Sequence, residues 1–116
     1  MEARAKRTFI RSSPRKMRIV ADVVRGKNVQ EALATLQFLP QKAARPIYLT
    51  LQSAVANLID QNERVDDSAL VVKTITVDQA PVIKRFQPVS RGRAHPILKR
   101  SSHLTIVVGT PAEAAA

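Results

Sequence analysis

The sequence contains no cysteine and no tryptophan, and among its 116 residues only three are Phe, one is Tyr and three are Gly. The absence of cysteine excludes a disulfide framework and any thiolate-ligated metal site. The scarcity of aromatic residues argues against a protein that reads several splayed bases, because such platforms stack bases on aromatic rings. No apolar run approaches the roughly 18 residues of a membrane span, and the basic start lacks the apolar stretch of a signal peptide. We therefore expect a soluble protein that is not exported.

Positive charge is what the sequence has in excess. Its 19 Lys and Arg residues outnumber 9 Asp and Glu residues, which gives a formal net charge of +10 and a pI of about 11.2. Nine of the cations fall within residues 1–27, and no acid occurs within residues 79–112, whereas residues 28–83 carry only four cations. Such a balance predicts a polyanionic partner, with nucleic acid favoured over an anionic membrane.

The first helix is predicted from its start and stop signals. Ser13 before Pro14 is typical of an N-cap followed by proline at the first helical position, and Gly26 suits the stop of a helix over residues 14–25. The apolar residues at helical spacing are Met17, Val20, Ala21 and Val24. The basic residues off this stripe predict either a solvated face or, as we favour, a phosphate site near the helix start.

Two further helices follow. Asn28 and Glu31 form a variant of the capping box, and Pro40 ends the helix that they begin. A third helix is predicted over residues 41–60, where Pro46 is tolerated if it lies in the first turn. The predicted apolar stripes are Ala32, Leu33, Leu36 and Leu39 in the second helix and Ala44, Ile47, Leu51, Ala54, Val55 and Leu58 in the third. We expect these helices to bury their apolar faces on one another.

Three segments have the alternation or β-branched composition of strands. Residues 3–10 alternate loosely, and residues 70–77 and 104–108 are rich in Val, Ile and Thr, so that the last two are natural partners. The polar residues 62–68 are predicted to form a loop. The fold class is therefore α+β, with three helices packed on a small antiparallel sheet of about three strands and a long protruding β-hairpin.

The chain is predicted to be one domain, residues 1–116, because it shows no internal repeat and no linker. Its globular body is expected in residues 2–80 and 104–110. Residues 81–103 are expected to form an extended basic hairpin, and residues 111–116 a flexible tail.

The predicted hairpin concentrates six cations without an acid: Lys84, Arg85, Arg91, Arg93, Lys99 and Arg100. Pro81, Pro88 and Pro96 exclude a central strand, because proline has no N–H for the ladder. A two-stranded ribbon with its turn near Gly92 avoids this conflict, with arms of roughly 12 to 15 residues. A free two-stranded hairpin is marginal in water, so that anion binding is favoured over a solvated loop.

No constellation of catalytic residues is present. His95 and His103 lack the companions that a metal site needs, and the adjacent Asp66 and Asp67 have the setting of solvated loop residues. The sequence has no phosphate-binding glycine loop, nucleophile elbow or zinc-peptidase motif. Neither an enzyme nor a cofactor nor a small-molecule substrate is predicted.

Several separated motifs resemble one known family. They are S-P-R-K-M-R-I-V-A-D-V-V-R-G-K at residues 13–27, L-Q-S-A-V-A-N at residues 51–57, and I-K-R-F-Q-P, S-R-G-R-A and I-L-K-R-S-S-H within residues 83–103. The chain resembles the family of ribosomal protein twenty-two of the large subunit, in its bacterial form, over about residues 2–109.

This resemblance implies a structural constituent of the large ribosomal subunit that binds ribosomal RNA, aids its assembly and lines the nascent-peptide exit tunnel with its hairpin. The implied partners are large-subunit ribosomal RNA, neighbouring ribosomal proteins and the nascent polypeptide. The implied location is the cytoplasmic ribosome of a bacterium, with an organellar ribosome as the less favoured alternative.

The candidate site residues fall into two groups, and no metal ligand or catalytic residue is among them. The predicted RNA-binding residues are Arg4, Lys6, Arg7, Arg11, Ser13, Arg15, Lys16, Arg18, Arg25, Lys27, Lys84, Arg85, Lys99, Arg100, Ser101, Ser102 and His103. The resemblance implies that the tunnel-lining tip consists of Pro88, Val89, Ser90, Arg91, Gly92, Arg93 and Ala94.

Two departures from the family pattern affect the hairpin. Val89 stands where the family usually has a basic residue after the tip proline, and Ala80 stands where a glycine often precedes the arm. The alternative function is a DNA-architectural protein, since such proteins also use basic β-arms tipped by proline. They act mostly as dimers and need an apolar dimer face, which three helices packed on one another would not leave free.

Overall fold

A computed structural model of the protein describes residues 2–61, 69–88 and 90–110. The elements are β1 (Glu2–Ile10), α1 (Pro14–Val24), α2 (Val29–Phe38), α3 (Ala44–Gln61), β2 (Val71–Gln79), β3 (Ile83–Pro88), a 3-10 turn (Ser90–Gly92), β4 (Ala94–Lys99) and β5 (Ser102–Gly109). This order confirms the predicted α+β class. The predicted loop at residues 62–68, the tip residue Val89 and the predicted tail at residues 111–116 lie outside the described residues.

The helix starts follow the local signals in the sequence. The side chain of Ser13 accepts a hydrogen bond from the Lys16 N–H at 3.4 Å, with Pro14 as the first helical residue. Gly26 has a φ of +79°, the left-handed conformation predicted for the stop of α1. The side chain of Asn28 accepts from the Gln30 N–H at 2.9 Å and caps α2. Both N-caps are thereby confirmed.

The third helix begins later than predicted, at Ala44, and runs to Gln61. Residues 41–43 form a turn instead of its first turn, and the Ala44 N–H donates to the Gln41 carbonyl at 3.1 Å. Pro46 therefore lies in the first turn of α3, where the helix needs no N–H from it. Because α3 begins only at Ala44, residues 41–43 form a separate turn that can contribute to another surface of the protein.

The core lies between the helices and the larger sheet. Met17, Val20 and Val24 of α1 are buried, as predicted. Helices α2 and α3 contact each other, but α1 packs chiefly against β2, and α3 packs against β1 and β5. The expectation that the helices bury their apolar faces on one another is therefore wrong for α1, because the sheet offers it the larger apolar surface.

The larger sheet has the strand order β1-β5-β2 and is antiparallel throughout. Ile106 in the middle of β5 lies opposite Ala5 on one side and Ile75 on the other. The alternating residues Leu104, Ile106 and Val108 are fully buried, as a central strand with one covered face requires. The predicted pairing of residues 70–77 with residues 104–108 is confirmed.

The hairpin segment forms a second sheet of two strands, in which β3 and β4 pair from Ile83 opposite Lys99 to Pro88 opposite Ala94. Its strands have six residues each, fewer than the predicted arms, because the ladder is interrupted between β2 and β3. At this interruption the Ala80 N–H donates to the Ser101 carbonyl at 3.1 Å. This hydrogen bond keeps the two segments of the chain adjacent, although no glycine is present there. The molecule measures 66 × 25 × 23 Å.

The turn of the second sheet has the chemistry expected around Gly92. Both Arg91 and Gly92 have positive φ values, of 66° and 70°. Glycine adopts this conformation without cost, whereas arginine is strained there.

No helix in the described part of the chain is both long enough and apolar enough to cross a bilayer.

Candidate nucleic-acid interface

The predicted basic residues of the first region lie on the surface of β1 and α1. In β1 the side chains of Ala3 and Ala5 point into the core, while Arg4, Lys6 and Arg7 are exposed. In α1 the apolar stripe faces the sheet and leaves the cations outside it. The exposed cations of α1 and its C-terminal turn are Arg15, Lys16, Arg18, Arg25 and Lys27.

The fold brings this region next to the base of the hairpin. A groove of about 1030 Å³ lies between the segment that joins β1 to α1, the turn before α3 and the first residues of the hairpin arms. No acid is found among the described residues that line it. The cations that line it come from three separate parts of the chain: Arg11, Lys16, Lys42, Arg85, Lys99 and Arg100. We call this surface the basic groove. Its charge is of the sign and density that suit a polyanion.

The start of α1 adds to the field of the basic groove. Ser13 and Lys16 line the groove, and the first N–H groups of a helix carry partial positive charge and lack partners within the helix. The hydroxyl oxygen of Ser101 also belongs to a lining residue, and this buried atom has no hydrogen-bond partner among the described residues. The groove thus combines fixed cations with the N–H groups of a helix start, an arrangement that suits a phosphate.

Two predicted RNA-binding arginines are engaged within the protein. The guanidinium of Arg18 donates to the Val77 carbonyl through Nη2 at 2.9 Å and Nε at 3.2 Å. Arg25 donates to the Ile75 carbonyl at 2.9 Å and pairs with Asp22. These carbonyls belong to β2, an edge strand of the sheet. The two side chains therefore cover a free strand edge, and their contact with RNA stays a prediction.

Three further predicted residues at the start of β5 have structural contacts. Ser102 is fully buried, and its hydroxyl donates to the Ser12 carbonyl at 2.6 Å. Nδ1 of His103 accepts from the Phe9 N–H at 3.1 Å, and the two rings meet edge to face at 4.8 Å. Ser101 is 7% exposed. For all three, contact with RNA stays a prediction, and burial shields Ser101 and Ser102 from a partner in this conformation.

The basic groove also contains a cation that sequence reasoning missed. Lys42 lies in the nearly neutral middle of the chain with only Arg45 close to it in sequence, so that no charge cluster marks it. It lines both the basic groove and an adjoining cavity of about 350 Å³ that Arg7 and Arg11 share. The sequence prediction placed Lys42 inside the third helix, and only the later start of that helix at Ala44 puts Lys42 in a surface turn.

The described residues of the predicted tip lie outside the basic groove. Arg91, Gly92 and Arg93 are exposed at the turn, and Pro88 is exposed at the end of β3. None of them lines the groove, and neither does Lys84. The candidate residues thus divide into a groove at the hairpin base and an exposed turn at the other end of the same ribbon.

Comparisons with known proteins agree with this chain organisation. The family model described as Ribosomal protein L22p/L17e matches residues 5–109. The Large ribosomal subunit protein uL22 of Herpetosiphon aurantiacus is 55% identical over 108 residues, which are 93% of this chain and 95% of that protein. The proteins of the same name from Desulfitobacterium hafniense and Syntrophotalea carbinolica are 51% and 53% identical over 92% and 93% of this chain, and over 93% and 97% of their own lengths. These findings confirm the resemblance in the sequence motifs: the chain belongs to the ribosomal protein L22p/L17e family.

Proposed function

We propose that the chain binds large-subunit ribosomal RNA through the basic groove and the hairpin, and that it aids assembly of the subunit in this way. As a member of the L22p/L17e family it is a structural constituent of the large ribosomal subunit and not an enzyme. Its ribosome is proposed to be that of the bacterial cytoplasm, with ribosomal RNA and neighbouring ribosomal proteins as partners.

One observation carries this proposal, which is the convergence of cations from distant parts of the chain. Arg11 and Lys16 precede Lys99 and Arg100 by most of the sequence, yet all line one groove whose described lining residues include no acid. Like charges repel when they are brought together, so that the free chain is destabilised by this arrangement. Phosphates in the groove would remove that repulsion, and they would lie against the start of α1 as well.

The hairpin is proposed to have a second role at its turn. Residues 88–94 would line the nascent-peptide exit tunnel, and the nascent polypeptide would be the partner of the exposed Arg91 and Arg93. The separation of the two sheets supports the proposed division into a body, residues 2–80 and 104–110, and a hairpin, residues 81–103. RNA along the arms would neutralise their cations, while the turn would remain in water.

Two measurements on the full chain test the proposal. The protein is expected to sediment with large subunits, and its affinity for large-subunit RNA is expected to fall as salt rises. If about six phosphates are contacted, the logarithm of the association constant falls with the logarithm of salt with a slope of about −4 to −5. A competing DNA duplex should not displace the RNA at equal concentration. A flat salt response, or equal binding to the DNA, would contradict the proposal.

A further inference from the structure

The two faces of the hairpin differ in composition. In the register of β3 and β4, Lys84 lies opposite Leu98 and Phe86 lies opposite Pro96. Side chains of directly opposite residues share a face, and successive residues alternate between faces. One face therefore carries Lys84, Phe86, Leu98 and Pro96, and we call it the Phe86 face.

The opposite face is directed at the body of the protein. Ile83, Arg85 and Lys99 belong to it by the same register, and all three line the basic groove. Leu98 also lines the groove, so that the Phe86 face borders it at the hairpin base, whereas Lys84 and Phe86 do not line it. Within the described chain the Phe86 face stays open: Phe86 is 71% exposed and Leu98 is 48% exposed.

An open aromatic ring on a ribbon of cations has a specific chemical meaning. Lys84 shares the face of the ring, and Arg85 is its neighbour in the chain. The combination matches a nucleotide, which has a flat apolar base joined to a phosphate. In an RNA helix each base is stacked on its neighbours along the strand, which cover its faces. An unpaired base that has left the stack offers a free face to a protein ring.

We propose that Phe86 is a stacking site for one unpaired base of RNA, with Lys84 beside it to hold a flanking phosphate. The inference rests on the proposed RNA-binding function and names the RNA feature that the Phe86 face recognises. It requires one ring and one base, which agrees with a chain too poor in aromatic residues for a multi-base platform. The competing occupant is an apolar segment of another protein, and the acid-free charge around the ring favours RNA over it.

The inference predicts how affinity responds to the ring. Stacking on an aromatic side chain is lost in Phe86→Ala, which should weaken binding to large-subunit RNA by between about 5- and 150-fold. The salt slope should stay unchanged, because no charge is removed. Lys84→Ala is the matched control: it should flatten the salt slope by about 1. Phe86→Leu should behave like Phe86→Ala, and Phe86→Tyr should restore binding.

The absence of tryptophan makes a direct optical test possible, because F86W would introduce a single indole. Stacking of a base on that indole should quench its fluorescence when large-subunit RNA is added. F38W is the matched control, since Phe38 ends α2, does not line the basic groove and is 82% exposed. Both positions are exposed enough for the substitutions to leave folding intact, which thermal unfolding checks.

The outcomes separate this inference from the proposed function. Quenching in F86W without quenching in F38W, together with the affinity loss in Phe86→Ala, supports the stacking site. RNA binding by F86W with unchanged fluorescence, or with equal quenching in F38W, overturns the stacking site and leaves the proposed function standing. A fluorescence change seen only in complete subunits and not with RNA alone shows a protein occupant and also overturns it. If the unmodified chain does not bind large-subunit RNA, both the stacking site and the proposed function are overturned.

Discussion

The cations of the body and those of the hairpin have different surroundings, although the sequence presents both as clusters of Lys and Arg. In the body, Arg18 and Arg25 donate to backbone carbonyls of β2, and Lys73 pairs with Glu2 at 2.6 Å. Among the described hairpin residues, Arg85 donates only to the carbonyl of its neighbour Lys84, at 3.2 Å. Body cations thus contribute partly to the fold, whereas the described hairpin cations have no acid within the hairpin to pair with.

The topology explains this difference. The body has an edge strand whose carbonyls need donors, and it retains acids such as Glu2 and Asp22 near its cations. The hairpin, residues 81–103, contains no acid that could pair with its cations. A cluster of positive charge in a sequence therefore indicates a polyanionic partner for the chain as a whole, but it does not tell which cations contact that partner.

The largest effect should follow from removing the hairpin. An Asn-Gly turn in place of residues 85–97 joins Lys84 to Leu98, which lie directly opposite each other. The variant loses three cations, so that its salt slope for RNA should flatten by about 2 to 3. Thermal stability should be similar or higher, because like charges are removed. Circular dichroism and salt titrations measure both, and loss of cooperative unfolding would show that the hairpin supports the body.

The next effect should separate the two ends of the hairpin. Lys99→Ala with Arg100→Ala removes cations of the basic groove, and it should slow incorporation into large subunits and flatten the salt slope by about 2. Arg91→Ala with Arg93→Ala should leave incorporation nearly normal and change the stalling of particular nascent chains. The fraction of each variant in mature subunits, beside an arrest-peptide assay, measures the difference. Equal damage to assembly from both pairs would show one undivided RNA anchor.

A smaller effect should distinguish two arginines of the same helix. Arg18→Ala loses the hydrogen bonds to the Val77 carbonyl, and this should lower the free energy of unfolding by about 1 kcal/mol, or roughly 4 °C in Tm. Arg15→Ala should leave Tm unchanged and weaken RNA binding, because Arg15 is exposed. Thermal unfolding and RNA titration of both variants provide the comparison. The reverse pattern would assign Arg18 to RNA and Arg15 to the fold.

The smallest effect should come from the exposed pair of Glu2 and Lys73. The hydrogen bond and the charge of Lys73 lower the pKa of the Glu2 carboxyl from its ordinary value of 4.5. Because the pKa is lower in the folded state, the ionised carboxylate stabilises the fold at pH values above the ordinary pKa. This contribution is lost as the pH falls through the lowered pKa of the folded state. Glu2→Gln should therefore lower Tm slightly at neutral pH and not at all in strong acid. A Tm difference that grows with acidity would contradict this.

Much of the fold follows from local signals that neighbouring residues carry. Ser13 with Pro14 and Asn28 determine where α1 and α2 begin, because N-capping depends on a few adjacent groups. The β-branched segments determined β2 and β5 and their antiparallel pairing. Composition predicts a polyanionic partner, and the order of motifs pointed to the L22p/L17e family.

The tertiary structure alone decided which side chains lie next to one another and which face solvent. Lys42 joined the basic groove because α3 begins only at Ala44, and the engagement of Arg18 became visible only once β2 was an edge strand. The interruption after Gln79 and the register of the hairpin decided that Phe86 faces outward. Contacts between residues far apart in the chain depend on strand order, register and helix packing together, and no short stretch of sequence encodes these.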